Sequence, residues 1–86
     1  MLFRSDVAEQ AKLVFNNLMA VLEAANSSLN QVVKTTIFLM NMSDFSVVNE
    51  VYATFFGEAL PARSTVEVSC LPKDVLVEVD CIAVKK

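Results

Sequence analysis

The stretch that most restricts the fold is Val32-Val33-Lys34-Thr35-Thr36-Ile37-Phe38-Leu39-Met40. It is β-branched and aromatic, and both alternating faces are largely apolar, so it reads as a strand covered on both sides. The chain has 86 residues with which to cover it. That is a single domain, 1–86, of a size that buries only about 60–65% of the surface its unfolded form exposes. Yet 55% of the residues are hydrophobic and only 20% charged, too much apolar side chain for so small an interior. The surplus points to a subunit interface.

The flanking segments read as helix, helix and two further strands. Asp6 followed by Glu9 has the shape of a capping box. From there to Ala25, Val7, Ala11, Val14, Phe15, Leu18, Val21, Leu22 and Ala25 recur at helical spacing. Asn26 suits the left-handed residue that ends a helix. A second helix is expected from about Asp44 to Phe56, with Ser43 or Asp44 as N-cap, Gly57 as C-cap and Phe45, Val48, Val51, Tyr52 and Phe55 as its stripe. Arg63–Leu71 alternates as a strand, Pro72-Lys73-Asp74 is a turn, and Val75–Val84 is the last strand. The order is α-β-α-β-β. It predicts an α+β fold with a right-handed parallel crossover, a terminal antiparallel hairpin, and two helices on one face of a mixed sheet. The opposite sheet face then carries apolar and charged residues together. Three strands with such a face are marginal alone, a second pointer to oligomerisation.

Charge and residue usage exclude several chemistries. The net charge is −3, and the seven basic residues are scattered, so nucleic acid is a poor partner. There is no histidine, which removes Ser-His-Asp and Cys-His catalysis and every His-bearing zinc site. Cys70 and Cys81 make neither a zinc spacing nor a C-x-x-C motif, and no metal site is expected. They read as buried fillers on neighbouring strands more often than as a disulfide, which fits a reducing, cytoplasmic compartment, with the mitochondrion as the alternative. No apolar run reaches the roughly 18 residues of a membrane span, and residues 1–5 are not followed by a signal-peptide core.

Two ionisable residues stand out by position. Arg63 follows Pro61-Ala62 at the mouth of a strand, where its planar fork can take a carboxylate bidentately. Glu78, between Val77 and Val79, is placed for partial desolvation, which suits a general base. On spacing alone the pair reads first as a surface ion pair or solvated charges, and only second as a site. Glu67 and Asp80 have the same status with less to single them out. Thr65 is a strand residue first, and Tyr52 and Asn49 read as core-edge and helix-surface positions.

A resemblance adds to this reading. Val33-Lys34-Thr35-Thr36-Ile37-Phe38-Leu39, Asp44-Phe45, Val48-Asn49-Glu50-Val51-Tyr52 and Phe56-Gly57 are similar to segments of the RidA family, also called YjgF or endoribonuclease L-PSP. Pro61 to Val84, PARSTVEVSCLPKDVLVEVDCIAV, resembles its signature region, with the Pro-Ala-Arg-Ser opening, the Leu-Pro-Lys-Asp turn and the Val-Glu-Val strand at matching spacing. The likeness covers residues 6–86. The family's N-terminal β-hairpin is expected to be missing, since Met1–Ser5 matches none of it.

The resemblance implies a chorismate-mutase-like subunit assembled as a homotrimer, with active sites between subunits and no metal or cofactor. It implies hydrolysis of 2-imino acids (2-iminobutanoate, 2-iminopropanoate) to 2-keto acids and ammonia. The family's carboxylate-binding arginine falls on Arg63 and its water-holding glutamate on Glu78. Thr65 stands where cysteine is common, its backbone N–H still able to bind substrate, and Asn49 matches a helix asparagine near the cleft. Ser69-Cys70 replace a frequent Ala-Arg, removing a positive charge. The alternatives are a non-enzymatic ligand- or protein-binding trimer and the family's endoribonuclease or translation-inhibitor activity. The latter ranks lower for an acidic chain without histidine.

Overall fold

The computed structural model describes residues 6–57 and 61–85, so Met1–Ser5 lies outside the described residues. Asp6 starts the first helix, α1 (Val7–Ala24): its carboxylate accepts from the Glu9 N–H at 2.9 Å, supplying a partner to one of the helix's free donors. Asn26 ends the segment in the left-handed region, with φ 63°. The chain then passes through a short 3-10 turn into β1 (Val32–Leu39). After β1, Asn41 accepts from the Ser43 N–H, and a 3-10 turn, Met42–Asp44, feeds α2 (Phe45–Phe56). Asp44 occupies the N-cap position of α2 but makes no side-chain cap bond; Asn41 supplies the capping oxygen instead, at the start of the preceding turn. Gly57 closes α2 at φ 58°, where a Cβ would be strained. The remaining elements are β2 (Ala62–Glu67) and β3 (Val77–Ala83).

The strands lie in the order β2-β1-β3, with β2 parallel to β1 and β3 antiparallel to it. This corrects the expected terminal hairpin, for β3 pairs with β1 and not with β2. The connection 68–76 shows why. Val68 N–H donates to Leu39 O and Met40 N–H to Leu76 O, so the chain stays bonded to the end of β1 while crossing from one edge of it to the other. Left-handed Lys73 (φ 60°) and Asp74 (φ 56°) turn it back. The most apolar strand thereby takes the centre, and the polar β2 is left as an edge, exposed along most of its length.

β1 was expected to be covered on both faces, and within one chain it is covered on one. Thr35, Ile37 and Leu39 are buried beneath the helices. Lys34, Thr36 and Phe38 lie on the other face, exposed or half-buried. Cross-strand register adds Ser64, Val66, Glu78, Asp80 and Ile82 to this open face. The core is the helix-side layer: Ala11, Phe15 and Leu22 of α1 and Val48, Val51, Tyr52 and Phe56 of α2 against Val32, Ile37, Leu39 and Val77. Val21, counted in the α1 stripe, is 63% exposed, because the stripe is wider than the surface α1 presents to the sheet. The cysteines are free but are not on neighbouring strands. Cys81 is half-buried, and its thiol pKa is pushed up by burial and then by Asp80 beside it. Cys70 is exposed in the connection rather than buried. No helix among the described residues is long and apolar enough to cross a membrane.

Candidate active site

Arg63 enters β2 opposite Thr35 of β1, on the helix side of the sheet. β2 is an edge strand, so its side chain is not trapped under the helices but reaches over the rim of α2. Its guanidinium carbon sits 4.7 Å from the Tyr52 ring centroid and 5.4 Å from that of Phe45. Both lie within cation–π range. Its Nη1 donates to Asn49 Oδ1. Phe45, Asn49 and Tyr52 are four and three residues apart, so a single stripe of α2 supplies all these contacts. Tyr52 is itself anchored, 2% exposed, its hydroxyl sharing a 3.1 Å hydrogen bond with Thr35 Oγ1 of the central strand. Beside the guanidinium is a hollow of about 410 Å³ lined by Asn49, Tyr52, Ala53, Pro61 and Arg63.

Thr65 follows Arg63 by one pleat, on the same side of the sheet. Val68 N–H points to β1, where it donates to Leu39 O. Along a strand successive N–H groups alternate, so those of Ser64 and Val66 point inward too, and that of Thr65 points to the open edge. The edge of β2 therefore offers a guanidinium and an outward N–H in sequence.

Glu78 is not joined to this arrangement within one chain. It is half-buried on β3, paired with Phe38, and so belongs to the open face. Three residues along β1 and two strand spacings separate it from Arg63, placing the two Cα atoms about 14 Å apart, on opposite faces of the sheet. The two residues read from the sequence as partners thus meet a common small ligand only if two copies of the chain contribute. Asp80 shares the open face with Glu78. Glu67 serves the fold, its Oε1 accepting from the Met42 N–H at 2.7 Å. No cluster of three or more His, Cys, Asp or Glu side chains suited to a metal ion occurs among the described residues. Sequence reasoning missed the aromatic seat of Arg63. The three- and four-residue spacing of Phe45, Asn49 and Tyr52 was the signal, but Phe45 and Tyr52 were absorbed into the apolar stripe and Asn49 was read as a helix-surface residue.

The family model for endoribonuclease L-PSP matches residues 1–85. The chain belongs to that family. The RidA resemblance is the same assignment under another name, and the matched stretch takes in Met1–Ser5. A RutC family protein of Pyrococcus horikoshii is 53% identical over 83 residues, spanning 96% of this chain and 66% of the relative. The 2-iminobutanoate/2-iminopropanoate deaminase of Escherichia coli K12 is 46% identical over 85 residues, 95% of this chain and 66% of that protein. The crystal structure of E. coli TdcF with bound serine superposes with a TM-score of 0.90 at 41% identity, covering 99% of this chain and 69% of that one. The chain thus spans about two thirds of the length of the curated relatives it matches. The chain has the chorismate-mutase-like α+β fold that the resemblance implied.

Proposed function

We propose that this RidA-family chain contributes to an imine deaminase that hydrolyses short 2-imino acids to 2-keto acids and ammonia. The observation that carries the reading is the Arg63 fork, held by α2 at the rim of a hollow of small-substrate size. The substrate carboxylate lies on Arg63, assisted by the Thr65 N–H. Asn49, which occupies Nη1, leaves the remaining guanidinium donors for it. Ala53 and Pro61 offer apolar wall to a short side chain. The deaminase name of the 46% identical E. coli relative and the serine bound in the TdcF structure support a ligand of this class.

Glu78 comes from a second copy, whose open face packs against the β2 edge of the first. That face carries Phe38, Val66 and Ile82 beside Glu78, so its burial is favourable and brings the carboxylate in with it. The contact joins two different surfaces, a geometry that closes into a ring such as a trimer. Glu78 holds a water and takes its proton as the oxygen bonds to the C=N carbon and the π pair moves to nitrogen. Glu78 returns the water's proton to nitrogen, giving the carbinolamine. It then takes the hydroxyl proton and passes it to the same nitrogen; as the oxygen's electron pair forms the C=O bond, the C–N bond breaks and its pair leaves with nitrogen as ammonia. No metal or cofactor enters. RNA cleavage is the weaker reading, because no cluster of Lys and Arg on this acidic chain offers a phosphate track.

Calorimetric titration with 2-ketobutyrate tests the carboxylate site. Arg63→Lys is expected to weaken binding by roughly 10–150-fold, the equivalent of about 1.5–3 kcal/mol for hydrogen bonds to a charged group. Lys can neither reproduce the fork nor stack on both rings. Equal affinity for the folded variant would return Arg63 to the role of a surface charge. Wild-type binding without hydrolysis of freshly generated 2-iminobutanoate would favour a binding protein over an enzyme.

A further inference from the structure

We propose that Phe45 and Tyr52 are positioning residues for this site, forming with Asn49 a seat that holds the Arg63 guanidinium in one orientation. The proposal deepens the functional reading above and rests on it for the identity of the ligand. An arginine at the end of an edge strand should rotate freely about several bonds, since β2 is exposed along most of its length and gives its side chain little to pack against. Here three contacts remove that freedom. Tyr52 lies under the guanidinium at 4.7 Å, Phe45 adds a second ring at 5.4 Å, and Asn49 Oδ1 takes one Nη1 hydrogen.

Two flat rings and one in-plane acceptor restrict a planar cation in different ways. The rings limit tilt, and the acceptor limits rotation within the plane. The guanidinium donors that no described residue takes form a defined edge of the fork, and Arg63 lines the hollow together with Tyr52 and Asn49. The base of the seat is itself rigid. Tyr52 is buried, packed edge-on to Phe15 at 5.8 Å and against Phe56 at 4.6 Å, and its hydroxyl is tied to Thr35 on the central strand. Thr35 is also the register partner of Arg63. The central strand therefore locates both the arginine's backbone and, through Tyr52, the ring beneath its head. Preorganisation of this kind lowers the entropy lost when a carboxylate is bound.

Phe45→Leu is the informative change, since Phe45 is 37% exposed at the start of α2 and outside the buried core. Asn49→Ala removes the in-plane acceptor, and Arg63→Lys identifies the Arg63 signal in side-chain NMR spectra. The wild type is expected to show hindered rotation about the Arg63 Cζ–N bonds and a ring-current-shifted Nε–H. Either substitution should speed the rotation and weaken 2-ketobutyrate binding, Phe45→Leu by roughly two- to fivefold, the fold-change of an exposed cation–π contact. A structural role alone would move neither rotation nor shift. An Arg63 guanidinium that rotates in the wild type as fast as free arginine in the same buffer would overturn the proposal. So would variants that bind 2-ketobutyrate as tightly as a binding-competent wild type. A hindered guanidinium that both substitutions release, in a protein that binds no 2-ketobutyrate, would uphold the seat and remove the functional reading instead.

Discussion

Glu78→Gln is expected to keep 2-ketobutyrate binding close to that of the wild type and to lower imine hydrolysis by roughly 10²–10⁴-fold, the range for a group that moves a proton in the transition state. The two halves of the expectation come from different places in the structure. The keto acid carboxylate is assigned to Arg63 of one copy, while the Glu78 that meets the same ligand comes from the next and holds the water rather than the carboxylate, so the substitution alters no residue of that anchor. Glu78 sits on β3 opposite Phe38, half-buried, where glutamine fills the same volume. Folding stability should therefore change little, and a fall in rate can be read as lost chemistry. Glutamine can still hold a water through its amide, but it cannot accept the proton that water must lose. Hydrolysis at the wild-type rate would remove Glu78 from the mechanism. A large loss of stability with lost turnover would assign it to the interface instead.

Phe15→Ala should destabilise the fold by about 3–5 kcal/mol, read as a shift in the urea midpoint at unchanged slope. Phe15 is fully buried and is the hub of the aromatic cluster, with ring centroids 5.4 Å from Phe55, 5.8 Å from Tyr52 and 6.1 Å from Phe56. Truncation opens a cavity between the helices and the sheet that the flanking rings can only partly fill. For a domain whose whole stability is of order 5–15 kcal/mol, such a loss is a large fraction. Tyr52 leans on Phe15 and supports Arg63, so ligand affinity should fall in the fraction that remains folded. A loss below about 1 kcal/mol would mean that the cluster collapses into the space, or that subunit contacts rather than this core carry the stability.

Most of the fold was legible because its signals are local. The Asp6 cap, the left-handed Asn26, the C-terminal Gly57 and the apolar run of β1 each act over a few residues and appear where the sequence placed them. Strand pairing was not local. Val77, Val79 and Cys81 alternate equally well beside β2 or beside β1, and the choice shows only in the bonds that tie both ends of the connection to the end of β1, Val68 N–H to Leu39 O and Met40 N–H to Leu76 O. That one topological fact changes the site. With β3 on the far side of β1, Glu78 and Arg63 cannot serve one ligand from the same chain. The burial of Tyr52 and its bond to Thr35 were likewise beyond one-dimensional periodicity, which marks a tyrosine as apolar or polar but not as the floor under an arginine.

Subunit mixing tests the two-copy site most directly. Arg63→Lys and Glu78→Gln chains are unfolded together in urea at equal amounts, refolded and assayed for 2-iminobutanoate hydrolysis beside each variant refolded alone. Each variant alone carries one defect at every site and should be nearly inactive. In random mixed assemblies built on a head-to-tail contact, about one quarter of the sites pair an intact Arg63 from one copy with an intact Glu78 from the next, so activity near a quarter of wild type is predicted. A mixture no more active than its separate components, from subunits verified to have exchanged, would contradict a site shared between two copies.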